Sequence, residues 1–285
     1  MDEDNVERVR ATVRPRDAGD EGGAGREGAP GAPVATPAPA PPGRLVRCPV
    51  CEGSGEEVPG EGEDRICRCA GCQVLFRNPR PSVGRMREIR RARFAGATGR
   101  MHAAKQRGDR LLAIEVMKGY HGLASGRPAP LNAFGKRLLE IGCDLGFRMR
   151  EFEKYGWTIL GTETAPGALE YARATMLEVL ESGPEEIPKG RGPFDLILLD
   201  GVLGEVADPR GLAAALPGHM GRNGIVCMSV PETETGEPDL PEGAAWGFSE
   251  DALRRLFMEA GAEQPATARI EGRLLAWFRF KDGRR

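Results

Sequence analysis

The stretch LLEIGCDLGFRMREF, Leu138 to Phe152, constrains this chain more than any other. An apolar run, Leu138-Leu139-Glu140-Ile141, enters a turn bounded by Gly142 and Gly146, and the chain leaves it with a helix-like pattern. Glycine carries no Cβ, so such a turn lets backbone N–H groups approach whatever lies above it. Asp144 stands midway, where turns of this kind often place a third glycine.

Beyond this helix the chain repeats the alternation. WTILGTET reads as a strand and PGALEYARATM as a helix opened by proline in its first turn. LEVLES reads as a short strand and FDLILLD as one buried on both faces. DPRGLAAALPGHM is a helix, GIVCMSV a strand, and SEDALRRLFMEAG a helix with a serine N-cap and a glycine stop. ARIEGRLLAWFRFK closes as a hairpin. In the helix after the turn, Phe147, Phe152 and Tyr155 are expected to face inward. Strands alternating with helices over this length predict an α/β domain, a mostly parallel sheet covered by helices on both faces.

Upstream the chain changes character. Cys48-x2-Cys51, seventeen residues, then Cys69-x2-Cys72 is the spacing of a four-thiolate zinc ribbon. Two CxxC turns aim four sulfurs at one tetrahedral ion, leaving no open position, so such a site is structural. Cys67, two residues before Cys69, would share a strand face with it, and its role stays open. Seven cysteines with local CxxC pairs fit a reduced compartment better than a disulfide framework, and the protein is expected to be cytoplasmic. Residues 1–44 are nearly free of aromatic and branched apolar side chains and are expected to be a disordered Pro/Ala/Gly-rich tail. The ribbon spans 45–82, a helical linker or cap 83–134, and the α/β domain 135–285.

The formal net charge of -2 over 285 residues gives no global field toward nucleic acid or membrane, and no apolar run is long enough to span a bilayer. One local exception is Gly84 to Arg110, rich in Lys and Arg with only Glu88 and Asp109 as acids, which could meet phosphate-rich ligands or RNA. His102, His121 and His219 lack a partner pattern, and His219 is expected to face solvent in the GHMGRNG turn.

The ribbon exit CAGCQVLFRNPRPS, together with the glycine turn, resembles a bacterial group of class I S-adenosylmethionine-dependent methyltransferases, in which a zinc ribbon precedes the catalytic domain. The resemblance covers Arg47 to Pro81 and Arg137 to about Phe280. It implies a Rossmann-like, doubly wound, seven-stranded sheet and two groups to be bound, S-adenosyl-L-methionine and a structural Zn2+ on Cys48, Cys51, Cys69 and Cys72. The family pattern, an acid followed by G-x-G-x-G, aligns with Glu140, Gly142, Asp144 and Gly146, with Cys143 inside the turn; Asp144 departs from it. Glu163, with Thr164 beside it, is implied for the ribose hydroxyls, and Ser182 and Gly183 for adenine. Asp200 ends the fourth strand of the pattern, and Glu205 stands where the family often has histidine in a carboxylate-histidine pair. Asp200 and Glu205 are the catalytic candidates, Glu232 a further acid after the next strand, and Trp246 and Phe248 match a segment bordering the acceptor cavity.

Three readings stand at this point. The first is a methyltransferase acting on a small-molecule or glycan-like acceptor. The second is a methyltransferase-like scaffold that no longer transfers methyl groups, kept open by Asp144 and the Gly204-Glu205 pair. The third is an RNA methyltransferase docking through the ribbon and the basic helices.

Overall fold

A computed structural model describes residues 47–48, 50–58, 65–95, 99–125, 131–233 and 240–281, all within the unit Ala38–Arg285. The tail expected over residues 1–44 lies outside them. The strands of the α/β part are β4 (Arg137–Ile141), β5 (Thr158–Glu163), β6 (Val179–Glu181), β7 (Phe194–Asp200), β8 (Met220–Pro231), β10 (Glu263–Ile270) and β11 (Arg273–Phe280). They form one seven-stranded sheet in the order β10-β11-β8-β7-β4-β5-β6. Neighbours from β6 to β8 run parallel; β11 lies antiparallel between β8 and β10.

The two-residue period of a strand sorts each core residue to a face. Leu196 and Leu198 of β7 join Leu138, Ile225, Cys227 and Trp277 on one side. There α2 (Gly99–Ser125) covers them with Leu112, Val116, Met117 and Tyr120. The alternate residues Ile197 and Leu199 join Leu139, Val226, Met228 and Phe278 on the other. That face is covered by α5 (Pro209–Ala215) and α6 (Glu250–Glu259). Gly119 makes the close approach of α2 possible, since a Cβ there would sit 2.2 Å from the Trp277 ring. Trp277 in turn donates its indole N–H to the Val116 carbonyl at 3.2 Å.

Local signals set the helix starts. Pro166 occupies the first turn of α4 (Pro166–Ala174). The Ser249 hydroxyl accepts from the Ala252 N–H at the start of α6, and Gly261, at φ +90, follows its end. Of the residues expected inward on α3 (Phe147–Lys154) and just after it, Phe152 is buried, whereas Phe147 and Tyr155 are only half-buried. The GHMGRNG turn also differs from expectation: β8 begins at Met220, with Asn223 at φ +58 and a register shift against β7. An asparagine in the left-handed region is how a strand takes a bulge without ending. His219 is consequently half-buried, and burial lowers its pKa.

The ribbon sheet contains β1 (Gly55–Val58), β2 (Ile66–Cys69) and β3 (Leu75–Arg77), and a fourth strand, β9 (Trp246–Gly247), from the far end of the chain. Leu75 and Phe76 pair with Gly247 and Trp246. Arg77 ties the same segment down, donating to the carbonyls of Ala244 at 2.9 Å and Leu240 at 2.8 Å. The α1 helix (Val83–Ala92), capped by the Ser82 hydroxyl, then leads from the ribbon toward the sheet.

Candidate functional site

The turn after β4 sits where the chain switches from β5 on one side to β7 on the other, the crevice that open parallel sheets use for ligands. Gly142, Asp144 and Gly146 all take left-handed backbone, with φ of +72, +51 and +78. Asp144 therefore adopts the conformation a middle glycine would supply, which aspartate tolerates better than most residues. At Gly142 a Cβ would lie 2.5 Å from Val202, so the sequence has no room for a side chain there. Cys143 is fully buried, with its sulfur beneath β5 beside Gly161. It offers the crevice only its backbone.

Glu163, at the end of β5, is 3% exposed and draws the turn together. Its carboxylate accepts the N–H groups of Asp144 at 2.9 Å, Thr164 at 2.5 Å and Ala165 at 2.8 Å. Burial and the nearby Asp144 charge raise its pKa even so. Ser182 gives its hydroxyl to the Glu186 carbonyl at 2.7 Å, and Gly183 accepts from the Glu186 N–H, so both belong to a tight turn after β6.

Beneath the turn lies a buried ion cluster. Arg148, on α3, is 0% exposed. It binds Glu140 of β4, Asp109 of α2 at 2.5 Å and Asp200 of β7 at 2.8 Å, with Asp144 at 3.7 Å. Lys105 of α2 completes it, meeting Asp144 at 2.9 Å and Asp109 at 3.2 Å. Glu140 thus faces inward toward Arg148 and does not line the opening; its second oxygen has no hydrogen-bond partner among the described residues. Full burial pushes its pKa up from 4.5 to about 7, against the pull of Arg148, which it shares with three other acids. Asp200 goes the other way. Burial would raise it, but the guanidinium groups of Arg148 and Arg273 hold it below the ordinary carboxylate range.

The raised Glu140 makes stability depend on pH. Between about pH 4.5 and 7 the folded chain keeps a proton there that the unfolded chain has lost, so stability declines as pH rises through this window. The decline should approach about 3 kcal/mol and should be flattened in Glu140→Gln, as measured by urea unfolding at pH 5 and pH 8. Glu163 adds to it in the same direction. Asp200 does not, because its low pKa supplies stability that is lost only in stronger acid.

Above the turn is an opening of about 230 Å³, whose lining includes Asp144, Asp200, Glu205, Trp246 and Phe248. Glu205 is buried, and both its oxygens are taken, one by Arg90 at 3.2 Å and one by Arg93. Arg93, just past the end of α1, also feels Asp144 and Glu163; burial opposes its charge, but these acids raise its pKa. Arg273 comes from β11 to pair with Asp200 and gives a hydrogen bond to the Ser229 hydroxyl at 2.7 Å. Glu232 is paired with Arg269 at 2.7 Å. The Trp246 indole donates to the Val206 carbonyl at 2.8 Å and its ring meets Phe76 of the ribbon, so this wall rests on the cysteine module.

In that module the sulfurs of Cys48, Cys51, Cys69 and Cys72 all lie within 4.8 Å of one another, as four ligands of one metal ion must. Cys67 is not among them; its sulfur accepts from the Asn78 side-chain amide at 3.8 Å. The sequence motifs do not single out Arg90, Arg93, Lys105, Arg148 or Arg273. Arg90, Arg93 and Lys105 are visible only as part of the basic run, and Arg148 only as a charge one residue before Met149 and four before Phe152, on the face of α3 that is buried.

A family model for a methyltransferase domain matches residues 115–267. Among solved structures, the plantazolicin methyltransferase BpumL in complex with SAH is similar with a TM-score of 0.51 and 12% identity, over 69% of this chain and 95% of that one. An amino pentose methyltransferase from Micromonospora echinaspora, with SAM bound, gives 0.49 and 17% over 64% and 97%. Magnesium protoporphyrin IX methyltransferase from Synechocystis PCC 6803, also with bound SAM, gives 0.47 and 14% over 70% and 92%. At 12% identity the first of these is a likeness of fold. No curated protein matches the chain, and among the described residues no helix is long and apolar enough to cross a membrane.

Proposed function

Because this chain belongs to the methyltransferase-domain family, we propose that it transfers the methyl group of S-adenosylmethionine to a small-molecule or glycan-like acceptor held against Trp246 and Phe248. The observation that carries the reading is the turn itself: three left-handed residues, Gly142, Asp144 and Gly146, drawn toward Glu163 at the tip of the neighbouring strand. The cofactor supplies an electrophilic methyl on a sulfonium. The chain's residues would hold it through the turn backbone and Glu163, with Thr164, Ser182 and Gly183 at the adenosine end. Asp144 and Asp200 would offer negative charge beside the sulfonium and amino groups.

Acid–base work is poorly supported by the same geometry. Asp200 is ion-paired and held low, and Glu205 has both oxygens occupied. A carboxylate held low, as Asp200 is, accepts a proton weakly. The site is therefore built for positioning, and it suits an acceptor whose nucleophile needs no strong base, such as an amine. Methyl transfer by in-line displacement gains most of its rate from such placement.

Zinc is the ion we assign to the four cysteines, as a closed structural site with thiolate ligands only.

Calorimetric titration of the metal-loaded protein with S-adenosylmethionine and S-adenosylhomocysteine tests the reading. Both should bind, and Gly142→Val, with its Cβ forced toward Val202 in a left-handed backbone, should weaken binding by roughly 100-fold or more. A thermal melt confirms that the variant is folded. A folded wild-type protein that binds neither ligand at millimolar concentration would sink the proposal.

A further inference from the structure

A second cleft, of about 440 Å³, opens on the outer surface between α2, α3 and α4, and it shares with the cofactor turn only Leu145. Four cations line it, Arg107 and Arg110 from α2 and Arg150 and Lys154 from α3. The one acid in the lining, Glu151, is buried and already engaged, by Lys154 at 2.5 Å and Arg110 at 3.7 Å. Arg150 pairs outward with Glu153 at 2.7 Å. Arg107 is exposed and meets no acid among the described residues.

The same cleft carries aromatic surface. Phe147 and Tyr171 both line it, with ring centroids 5.7 Å apart and edge to face. His102, outside the lining, packs against Tyr171 from α2 at 5.2 Å. The basic run is visible in the sequence but these rings are not, because they come from three helices and meet only in the fold.

Cations in excess over acids, next to half-buried rings, are what a phosphate joined to an aromatic base requires. Guanidinium groups bind phosphate oxygens in paired hydrogen bonds, and bases stack on aromatic side chains whatever their identity. The volume is on the scale of one nucleotide. We infer that this cleft is a nucleotide-binding site, in which Arg107, Arg110, Arg150 and Lys154 hold phosphate and Phe147 and Tyr171 hold the base. The nucleotide is either free or part of a single-stranded RNA.

Fluorescence anisotropy with the full-length, metal-loaded protein separates the cases, using labelled adenosine and uridine monophosphates and a labelled ten-nucleotide RNA, with pyrophosphate as competitor. Binding should weaken about ten-fold or more in Arg107→Gln/Arg150→Gln and about five-fold in Phe147→Leu, which keeps an apolar side chain while losing the ring. S-adenosylhomocysteine affinity should be unchanged in the Arg107→Gln/Arg150→Gln protein, which separates failure here from failure of the methyltransferase reading. Tighter binding of the RNA than of the mononucleotides, with a steep loss on adding salt, assigns the site to a strand; equal binding assigns it to a free nucleotide. The inference is overturned if neither probe binds at millimolar concentration. It is likewise overturned if the arginine variants bind as wild type, or if pyrophosphate competes as well as a nucleotide does.

Discussion

Arg148→Met is expected to cost about 3–5 kcal/mol of folding stability, the largest effect of any single side chain in this domain. Methionine fills much the same volume, so the loss is not one of packing. It removes the cation that Glu140, Asp109, Asp200 and Asp144 share and leaves their charges buried without it, Glu140 completely so. Among the described residues Lys105 pairs with Asp109 and Asp144, and Arg273 with Asp200; neither pairs with Glu140, so neither replaces it. Chemical denaturation at pH 8 measures the cost. Lowering the pH to 5 should recover part of it, since Glu140 can then take a proton and cease to be a buried charge. A loss under about 1 kcal/mol at pH 8 would mean that water reaches the cluster.

Removing the metal should act elsewhere. With Cys69→Ser/Cys72→Ser, or after stripping with a chelator, bound metal should fall from one per chain to none, and the melting midpoint by about 10 °C or more. Closed thiolate sites contribute their binding energy directly to folding. The spectroscopic signature should be local. Trp246 is 4% exposed and rests on Phe76 of the ribbon, so its emission should shift to the red. Trp157 and Trp277 lie in the cluster on the opposite face of the sheet and should be silent. On the proposed function, S-adenosylhomocysteine binding should persist while acceptor binding is lost, because Trp246 of the proposed acceptor wall rests on Phe76 of the ribbon and the glycine turn does not. Metal-free protein with an unchanged melt and unchanged emission would refute the structural role.

The parts of this molecule that can be read from sequence are those written in periods and short spacings. FDLILLD shows its two-sided burial because every residue but Asp195 and Asp200 is apolar, and the CxxC pairs are visible because four thiolates around one ion demand that spacing. The glycine turn is visible for the same reason, a local backbone need met by local residue types. The ion cluster is different in kind. Its members come from α2, β4, the turn, α3, β7 and β11, and only Lys105 with Asp109 and Asp144 with Arg148 pair there within a short window. Trp246–Gly247 is likewise too short a strand to carry any period, and only its partner β3 makes it one. Glu205 reads as a possible base from its position in a motif; the arginines that occupy its oxygens sit over 100 residues earlier.

The pairing of β3 with β9 also bears on how the chain is made. Arg77 waits for Ala244, 167 residues later, before its hydrogen bond can form. Until then a ribbon emerging from the ribosome has a bare edge, the kind of surface on which nascent chains pair wrongly. The matched family region begins at residue 115, beyond the ribbon, and a fragment begun at residue 83, which keeps α1 and α2 whole, would carry the mirror-image defect, a β9 segment with nothing to lie against. Such a fragment should be poorly soluble, and supplying residues 45–82 as a separate chain during refolding should rescue it.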